Sequence, residues 1–296
     1  EMVLQILILV LGFVCLVKGS DWFVDGAAGI ATKFGIPQLI IGLTIVAMGT
    51  SAPEAAVSIT AAFNGSADIT IGNIVGSNIL NVLIILGLSA VVYPLTVEKS
   101  TLKIDIPVTI FATVLLFVLG LDGNITRIDG IIMLGIFVAY IAFLVVSAKK
   151  AQNQASATSV NETLSDENAK TEEKPKSILL LIVITIVGLA LVILGSRFVV
   201  SSASFIARKF GLSERFIGLT IVALGTSLPE LFTSVVAASK KNSDIAIGNI
   251  IGSNLFNILF VVGLSSLVIP VPFSSAFRID TMVALASIVA VLLFCL

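Results

Sequence analysis

Two glutamates, Glu54 and Glu230, each lie well inside an apolar run long enough to cross a bilayer as a helix. The remainder of the eighteen acidic residues fall in polar connections or near the ends of such runs. A charge at the centre of a membrane helix costs about 2.5–3.5 kcal/mol on insertion scales. Two such costs, with no Lys or Arg nearby in the runs to offset them, call for an outside partner, and a bound cation is the simplest. Each glutamate closes the same phrase, Gly-Thr-Ser-x-Pro-Glu, at 49–54 and 225–230. Pro53 and Pro229 lack an N–H and clash with the carbonyl four residues back, at Gly49 and Gly225. The helix is therefore expected to kink or break there, freeing backbone oxygens at mid-membrane, where irregular backbone is tolerated if it lines a cavity. Thr50 and Glu54 are four apart and share a helix face, as do Thr226 and Glu230, and Ser51 and Ser227 add hydroxyls.

A second phrase, Gly-Asn-x-x-Gly-Ser-Asn-x-x-Asn, occupies 72–81 and 248–257. Ser77 and Asn81 share one face, as do Ser253 and Asn257. Asn73, Asn78, Asn249 and Asn254 either line the same cavity or tie helices together by hydrogen bonds. Gly72, Gly76, Gly248 and Gly252 have the small-xxx-small spacing that lets helices approach closely. Asp68 and Asp244 open their runs and are expected to cap them. Every candidate ligand is an oxygen donor. The chain has no histidine and only two cysteines, Cys15 and Cys295, both expected to pack in apolar runs. Zinc sites and histidine-based acid–base chemistry are excluded. The oxygen set suits hard cations: calcium, which takes six to eight oxygens flexibly, or sodium, and less so magnesium, which holds its waters.

The elements that position these residues are all helical and all apolar. The 296 residues are 57% hydrophobic and 12% charged. Mean hydropathy is +1.13. Apolar runs define nine expected spans: 3–24, 37–63, 69–93, 104–121, 128–148, 178–200, 213–239, 245–269 and 279–296. The first lacks the basic start of a secretory signal and has a counterpart at 178–194 that cannot be one. Between the fifth and sixth spans, 149–176 is polar, with five Lys and five acidic residues, and reads as a solvated loop. A net charge of −1 provides no basic field for nucleic acid. No nucleophile–base set or phosphate-binding glycine loop appears outside the spans, so an enzyme is not expected.

Internal repetition organises the whole. Offset by 176, residues 19–89 align with 195–265 without a gap, and twelve of fourteen positions agree between 41–54 and 217–230. Lipid solubility would repeat Leu and Val; it does not demand agreement at Gly, Thr, Ser, Asn and Glu. Five spans precede the loop, so the second copy enters the membrane from the opposite side. The expected organisation is 1–148 as a first five-helix half, 149–176 as a cytoplasmic loop, and 177–296 as an inverted second half. Inverted repeats place transporter sites near the midplane at the repeat interface. With the N-terminus outside, the inner side carries eleven Lys, counting those of the loop, and the outer side six Lys and Arg, the arrangement favoured by the positive-inside rule. Lys103-Ile104-Asp105 matches Arg278-Ile279-Asp280, so the ninth span corresponds to the fourth, and no counterpart of the fifth precedes Leu296.

The paired GTSxPE and GNxxGSNxxN segments resemble the two alpha-repeats of the sodium/calcium exchanger family of the cation/calcium antiporters, prokaryotic type, along nearly the whole chain. The resemblance implies a ten-helix fold, of which the last helix is expected to be absent from this chain, with the first and sixth helices sliding across a core of the motif-bearing pairs. It implies an antiporter of the plasma membrane, functional as a monomer, that needs no cofactor and carries calcium and sodium. Residue by residue, Glu54 and Glu230 would ligate calcium with the Thr50 and Thr226 carbonyls. Ser51, Ser77, Ser227 and Ser253, with the Ala47 and Ala223 carbonyls, would form flanking sodium sites, and Asn81 and Asn257 would border the centre. Relatives often carry Asp where this chain has Asn257, a position linked to potassium in potassium-dependent members. Its absence argues against potassium co-transport, and the Ser-x-Pro-Glu context favours sodium as counter-ion. A proton/calcium antiporter is the alternative; a cation channel fits the paired acids and repeats less well.

Overall fold

The computed structural model describes residues 1–162, 177–212, 221 and 223–296. The loop residues 163–176 and most of the first part of the expected span 213–239 lie outside the described residues. Eleven helices are described: α1 Met2–Phe34, α2 Gln38–Thr50, α3 Ala52–Phe63, α4 Ile69–Val92, α5 Thr101–Asp122, α6 Arg127–Glu162, α7 Ile178–Lys209, α8 Ala223–Thr226, α9 Leu228–Ser239, α10 Ser243–Val268 and α11 Ser275–Cys295. Seven are long and apolar enough to span a membrane, and α2 with α3 forms one further span bent by 49°. Three helices run well past their expected ends, α7 continuing past residue 200 to Lys209. Helix α1 continues past residue 24 to Phe34, where Gly35, at φ 61°, accepts the left-handed turn that ends it. Helix α6 continues past residue 148 to Glu162, because the polar segment that follows contains no helix-breaking residue before that point.

Helices α1 and α7 pack antiparallel along most of their length, and glycine sets how closely. A Cβ on Gly12 would lie 3.0 Å from the Gly195 carbonyl, and one on Gly19 would lie 2.8 Å from that of Gly188. The offset of 176 converts the first contact into the second, so the two long helices cross through equivalent surfaces. Helix α10 lies at the centre, with 94% of its most apolar window buried. It meets α2 where Gly248 faces Gly42 and Gly252 faces Leu43 and Ala47, as the small-xxx-small spacing requires. Gly72 and Gly76 do not repeat this: among the described residues a Cβ on Gly72 meets only Phe277, and one on Gly76 meets nothing within 4 Å. The segment equivalent to the α2 surface falls largely outside the described residues.

The ends are fixed by polar side chains. Asn242, not Asp244, caps α10, its side chain accepting from the Ile245 N–H at 3.1 Å. Asp244 sits one turn inside, where a carboxylate still favours the positive helix end. Helix α4 has no side-chain cap, and the Asp68 side chain lies outside the described structure. A two-residue antiparallel bridge, β1 Asn124–Ile125 with β2 Val271–Pro272, joins the α5–α6 connection to the α10–α11 connection. Asp105, placed by sequence at the end of a span, is in fact buried in α5, where the Tyr140 hydroxyl of α6 donates to it at 2.8 Å.

The two halves differ on one face. Gly263 of α10 is covered by Gly130, Met133 and Leu134 of α6, whereas its equivalent in α4, Gly87, has nothing within 4 Å of a Cβ among the described residues. An apolar groove of about 380 Å³ runs there, lined by Val82, Leu86, Gly87, Ile106, Ile251 and Phe294 among others.

Candidate functional site

The chain breaks twice in the same manner. Helix α2 ends at Thr50, Ser51 leaves helical geometry at φ −82°, ψ 6°, and α3 begins at Ala52 with Pro53 in its first turn. Helix α8 ends at Thr226, Ser227 takes φ −89°, ψ 5°, and α9 begins at Leu228 with Pro229 in its first turn. Proline is well tolerated there because the first helical N–H groups have no partner to lose. Each glutamate is thereby the third residue of a new helix, close to free backbone N–H groups and the positive end of the dipole. This position supports a buried carboxylate without a basic side chain, and both Glu54 and Glu230 are 0% exposed.

Ser-x-Pro-Glu also has the form of a capping box, in which the serine would bond to its own helix. It does not do so here: neither Ser51 nor Ser227 makes a side-chain cap. The Ser51 hydroxyl donates to Glu230 Oε1 at 2.6 Å, and the Ser227 hydroxyl donates to Glu54 Oε1 at 3.2 Å. Each broken turn thus serves the carboxylate of the other repeat. Thr226 stands beside Glu54 and Thr50 beside Glu230, and the two carboxylates are close enough to feel each other's charge. The second oxygen of each, Glu54 Oε2 and Glu230 Oε2, is buried and has no hydrogen-bond partner among the described residues.

The asparagines are arranged with the same reciprocity. Asn73 donates to the Glu54 carbonyl at 3.3 Å and to Ser58 at 2.9 Å. Asn249 donates to the Glu230 carbonyl at 3.4 Å and to Ser234 at 2.9 Å, and its amide oxygen accepts from Thr50 at 2.9 Å. Asn81 donates to Asn254 Oδ1 at 3.0 Å and Asn257 donates to Asn78 Oδ1 at 3.1 Å. The four asparagines left open between cavity and packing roles therefore all tie helices together. Asn81 Oδ1 and Asn257 Oδ1, in contrast, are buried and have no partner among the described residues. Ser77 meets Ser227 at 3.4 Å, and Ser253 donates to the Ala47 carbonyl at 3.4 Å.

The carbonyls expected to be free are partly engaged. Ala47 O already accepts from Ser51 N at 3.0 Å and from the Thr50 hydroxyl at 3.3 Å. Gly225 O, released by Pro229, accepts from Ser196 of α7 at 2.6 Å. Ala223 is described only as the first residue of α8. Ser58, Ser234 and Ser196 lie outside the two motifs, yet the 176 offset marks each of them, pairing Ser58 with Ser234 and Ser196 with Ser20. Among the described residues no group of three or more His, Cys, Asp or Glu gathers, so Glu54 and Glu230 face each other without a third carboxylate. A cavity of about 390 Å³ reaches the break from one side, between Pro53, Val57, Gly225 and Thr226 and the α7 residues Ser196 and Arg197.

This site lies within two matching segments: the family model for sodium/calcium exchanger proteins covers residues 4–146 and 180–296. The chain belongs to the sodium/calcium exchanger family. It is 40% identical to the putative antiporter CaxA of Alkalimonas amylolytica over 100% of this chain and 91% of that one. It is 34% identical to the sodium/calcium exchanger MaX1 of Methanosarcina acetivorans over 96% of this chain and 90% of that one. Its fold matches that of the sodium-calcium exchanger NCX_Mj, solved after soaking in sodium and strontium, with a TM-score of 0.84 and 33% identity over 100% of this chain and 92% of that one. The protein is thus a multi-pass membrane antiporter of the cation/calcium class and not an enzyme. Calcium and sodium are the ions such exchangers carry, without a cofactor.

Proposed function

We propose that this exchanger moves calcium against sodium by alternating access, with both ions competing for one oxygen-lined site between Glu54 and Glu230. The observation that carries the reading is the crossed pair of Ser51–Glu230 and Ser227–Glu54 hydrogen bonds, which among the described residues leaves one unpartnered oxygen on each buried carboxylate. A buried carboxylate oxygen with no partner is costly, and a cation removes that cost. Two carboxylates neutralise one calcium, and the Thr50 and Thr226 carbonyls complete its ligands. Ser51, Ser77, Ser227 and Ser253 with the Ala47 and Ala223 carbonyls form the flanking sodium positions. Asn81 and Asn257 present neutral oxygens at the centre, so potassium is not carried. Hydroxyl and amide oxygens are ligands for a metal ion and are superfluous to a proton carrier, which favours sodium over protons as counter-ion.

An empty site carries two bare charges and resists movement of the apolar helices past it; a loaded site does not. That difference couples the fluxes. The glycine-lined contact between α1 and α7 supports sliding of this pair over the core. The cavity beside Arg197 is the route open to the ions, and it faces outside if Lys33, Lys240 and Lys241 lie in the cytoplasm, with the N-terminus outside and the protein acting as a monomer in the plasma membrane. The groove beside Gly87 is the place a counterpart of α6 would take in a ten-helix arrangement. The deciding experiment is calcium uptake by proteoliposomes under an outward sodium gradient. Uptake is expected to follow that gradient, to ignore a pH gradient imposed without sodium, and to vanish in Glu54→Gln. Uptake driven by pH alone establishes proton exchange, and a large uncoupled conductance establishes a channel.

A further inference from the structure

An asparagine amide offers an oxygen on one side and an NH2 on the other, and only the oxygen can face a cation. Its orientation is therefore a functional variable, and in this protein one orientation is dictated by the backbone. Asn78 Nδ2 donates to the main-chain carbonyl of Asn254 at 3.2 Å. A carbonyl only accepts, so the NH2 of Asn78 must point there, and Asn78 Oδ1 must point the other way. That oxygen accepts from Asn257 Nδ2 at 3.1 Å. The NH2 of Asn257 is thereby committed, and Asn257 Oδ1 is turned to the opposite side, where it is buried without a partner among the described residues. The turn bearing Asn257, Phe256–Val262, packs against the helix that bears Glu54. In the other repeat Asn81 donates to Asn254 Oδ1, and its own Oδ1 is likewise buried without a partner among the described residues.

We propose that Asn78 is a positioning residue for ion binding: it holds the Asn257 amide so that its oxygen, and never its NH2, faces the cation between Glu54 and Glu230. Asn254 Oδ1 occupies the matching position for Asn81, from whose amide N–H it accepts. The inference rests on the cation site proposed above and adds the residues that aim it. A flipped Asn257 would present two N–H donors to a bound cation, converting an attraction into a repulsion. The need for such a device follows from the residue type. A carboxylate at 257 would show an oxygen in either orientation and would require no partner to aim it.

That contrast provides the test. Calcium is titrated onto the purified full chain in detergent, in four forms: parent, Asn78→Ala, Asn257→Asp, and the two changes together. Asn78→Ala is expected to weaken calcium binding about tenfold in the parent and by less than about twofold once residue 257 is Asp, a coupling typical of residues in direct contact. Equal weakening in both backgrounds overturns the positioning role and leaves only helix packing, with the proposed exchange function intact. A parent chain that binds neither calcium nor sodium overturns the exchange function, and this inference falls with it. If Asn78→Ala does not fold, the mirrored cycle of Asn254→Ala with Asn81→Asp makes the same distinction in the other repeat, with the same outcomes.

Discussion

At the scale of single residues, the site depends on hydroxyls that serve a carboxylate in the opposite repeat. Hydrogen bonds to charged groups contribute about 1.5–3 kcal/mol, and 1.4 kcal/mol is a factor of ten in an equilibrium constant. Ser51→Ala removes the 2.6 Å bond to Glu230, and Ser227→Ala removes the 3.2 Å bond to Glu54. Both are expected to weaken calcium binding, by about tenfold for Ser51 and less for Ser227 in proportion to the longer bond. Calcium titration of the two variants checks the order; equal loss in both, or none, contradicts the crossed arrangement. The same residues mark the limit of motif reading. The types Glu54, Ser51 and Asn249 were legible as oxygen donors. Their partners were not, because Ser-x-Pro-Glu fits an intrahelical cap as well as a contact 179 residues away.

At the scale of elements, close approach is set by glycine where two helices cross at backbone distance. A Cβ on Gly252 would lie 2.5 Å from the Leu43 carbonyl, and backbone cannot rotate aside. Gly252→Val is expected to cost about 1–3 kcal/mol, the range for overpacking, and to lower the unfolding temperature in detergent. Gly87→Ala is the control: nothing lies within 4 Å of its Cβ among the described residues, and alanine is the better helix former. It is expected to leave the unfolding temperature unchanged or raise it slightly. The spans themselves were readable from hydropathy, and the break was readable from Pro53 and Pro229. The ends were not. Helix α1 extends to Phe34 because its polar second half, with Asp21 and Asp25, has a partner that lies far away in sequence.

At the scale of the molecule, that partner is Lys240, in the connection between α9 and α10. Its Nζ lies 2.6 Å from Asp21 Oδ1 and 2.6 Å from Asp25 Oδ1, binding the long first helix to the second repeat. Partial burial lowers the Lys240 pKa, but the hydrogen bonds and charges of Asp21 and Asp25 together outweigh it and hold the pKa above 10.5. A raised pKa means the pair stabilises the fold fully below pH 10.5 and loses that contribution as pH rises through the folded value. The three side chains remain partly exposed, Lys240 by 28%, Asp21 by 38% and Asp25 by 47%, so the contribution is close to that of a surface pair, about 0.2–1 kcal/mol. Lys240→Met is expected to unfold slightly earlier than the parent at pH 8 and indistinguishably from it once Lys240 is deprotonated. Thermal unfolding at both pH values measures this, and a gap that persists at the alkaline end assigns the effect to packing. At the offset of 176, Asp21 becomes Arg197 and Lys240 becomes Asn64, so the repeat does not duplicate this ion pair.

Sequence alone determined the all-helical membrane class, the duplication, the family and the oxygen-donor residue types of the candidate site. Each of these is written locally: span length in hydropathy, the break in proline, the duplication in the 176 offset, and ligand chemistry in residue type. Tertiary structure alone decided which oxygens remain available. Among the described residues two carboxylate oxygens and two amide oxygens of the site are left without a partner, and the serines that engage the other carboxylate oxygens come from the opposite repeat. Hydrogen bonds between Ser51 and Glu230, or between Asn257 and Asn78, join residues separated by 179 positions. No local pattern encodes such a pairing, because it exists only once two copies of one motif have folded against each other.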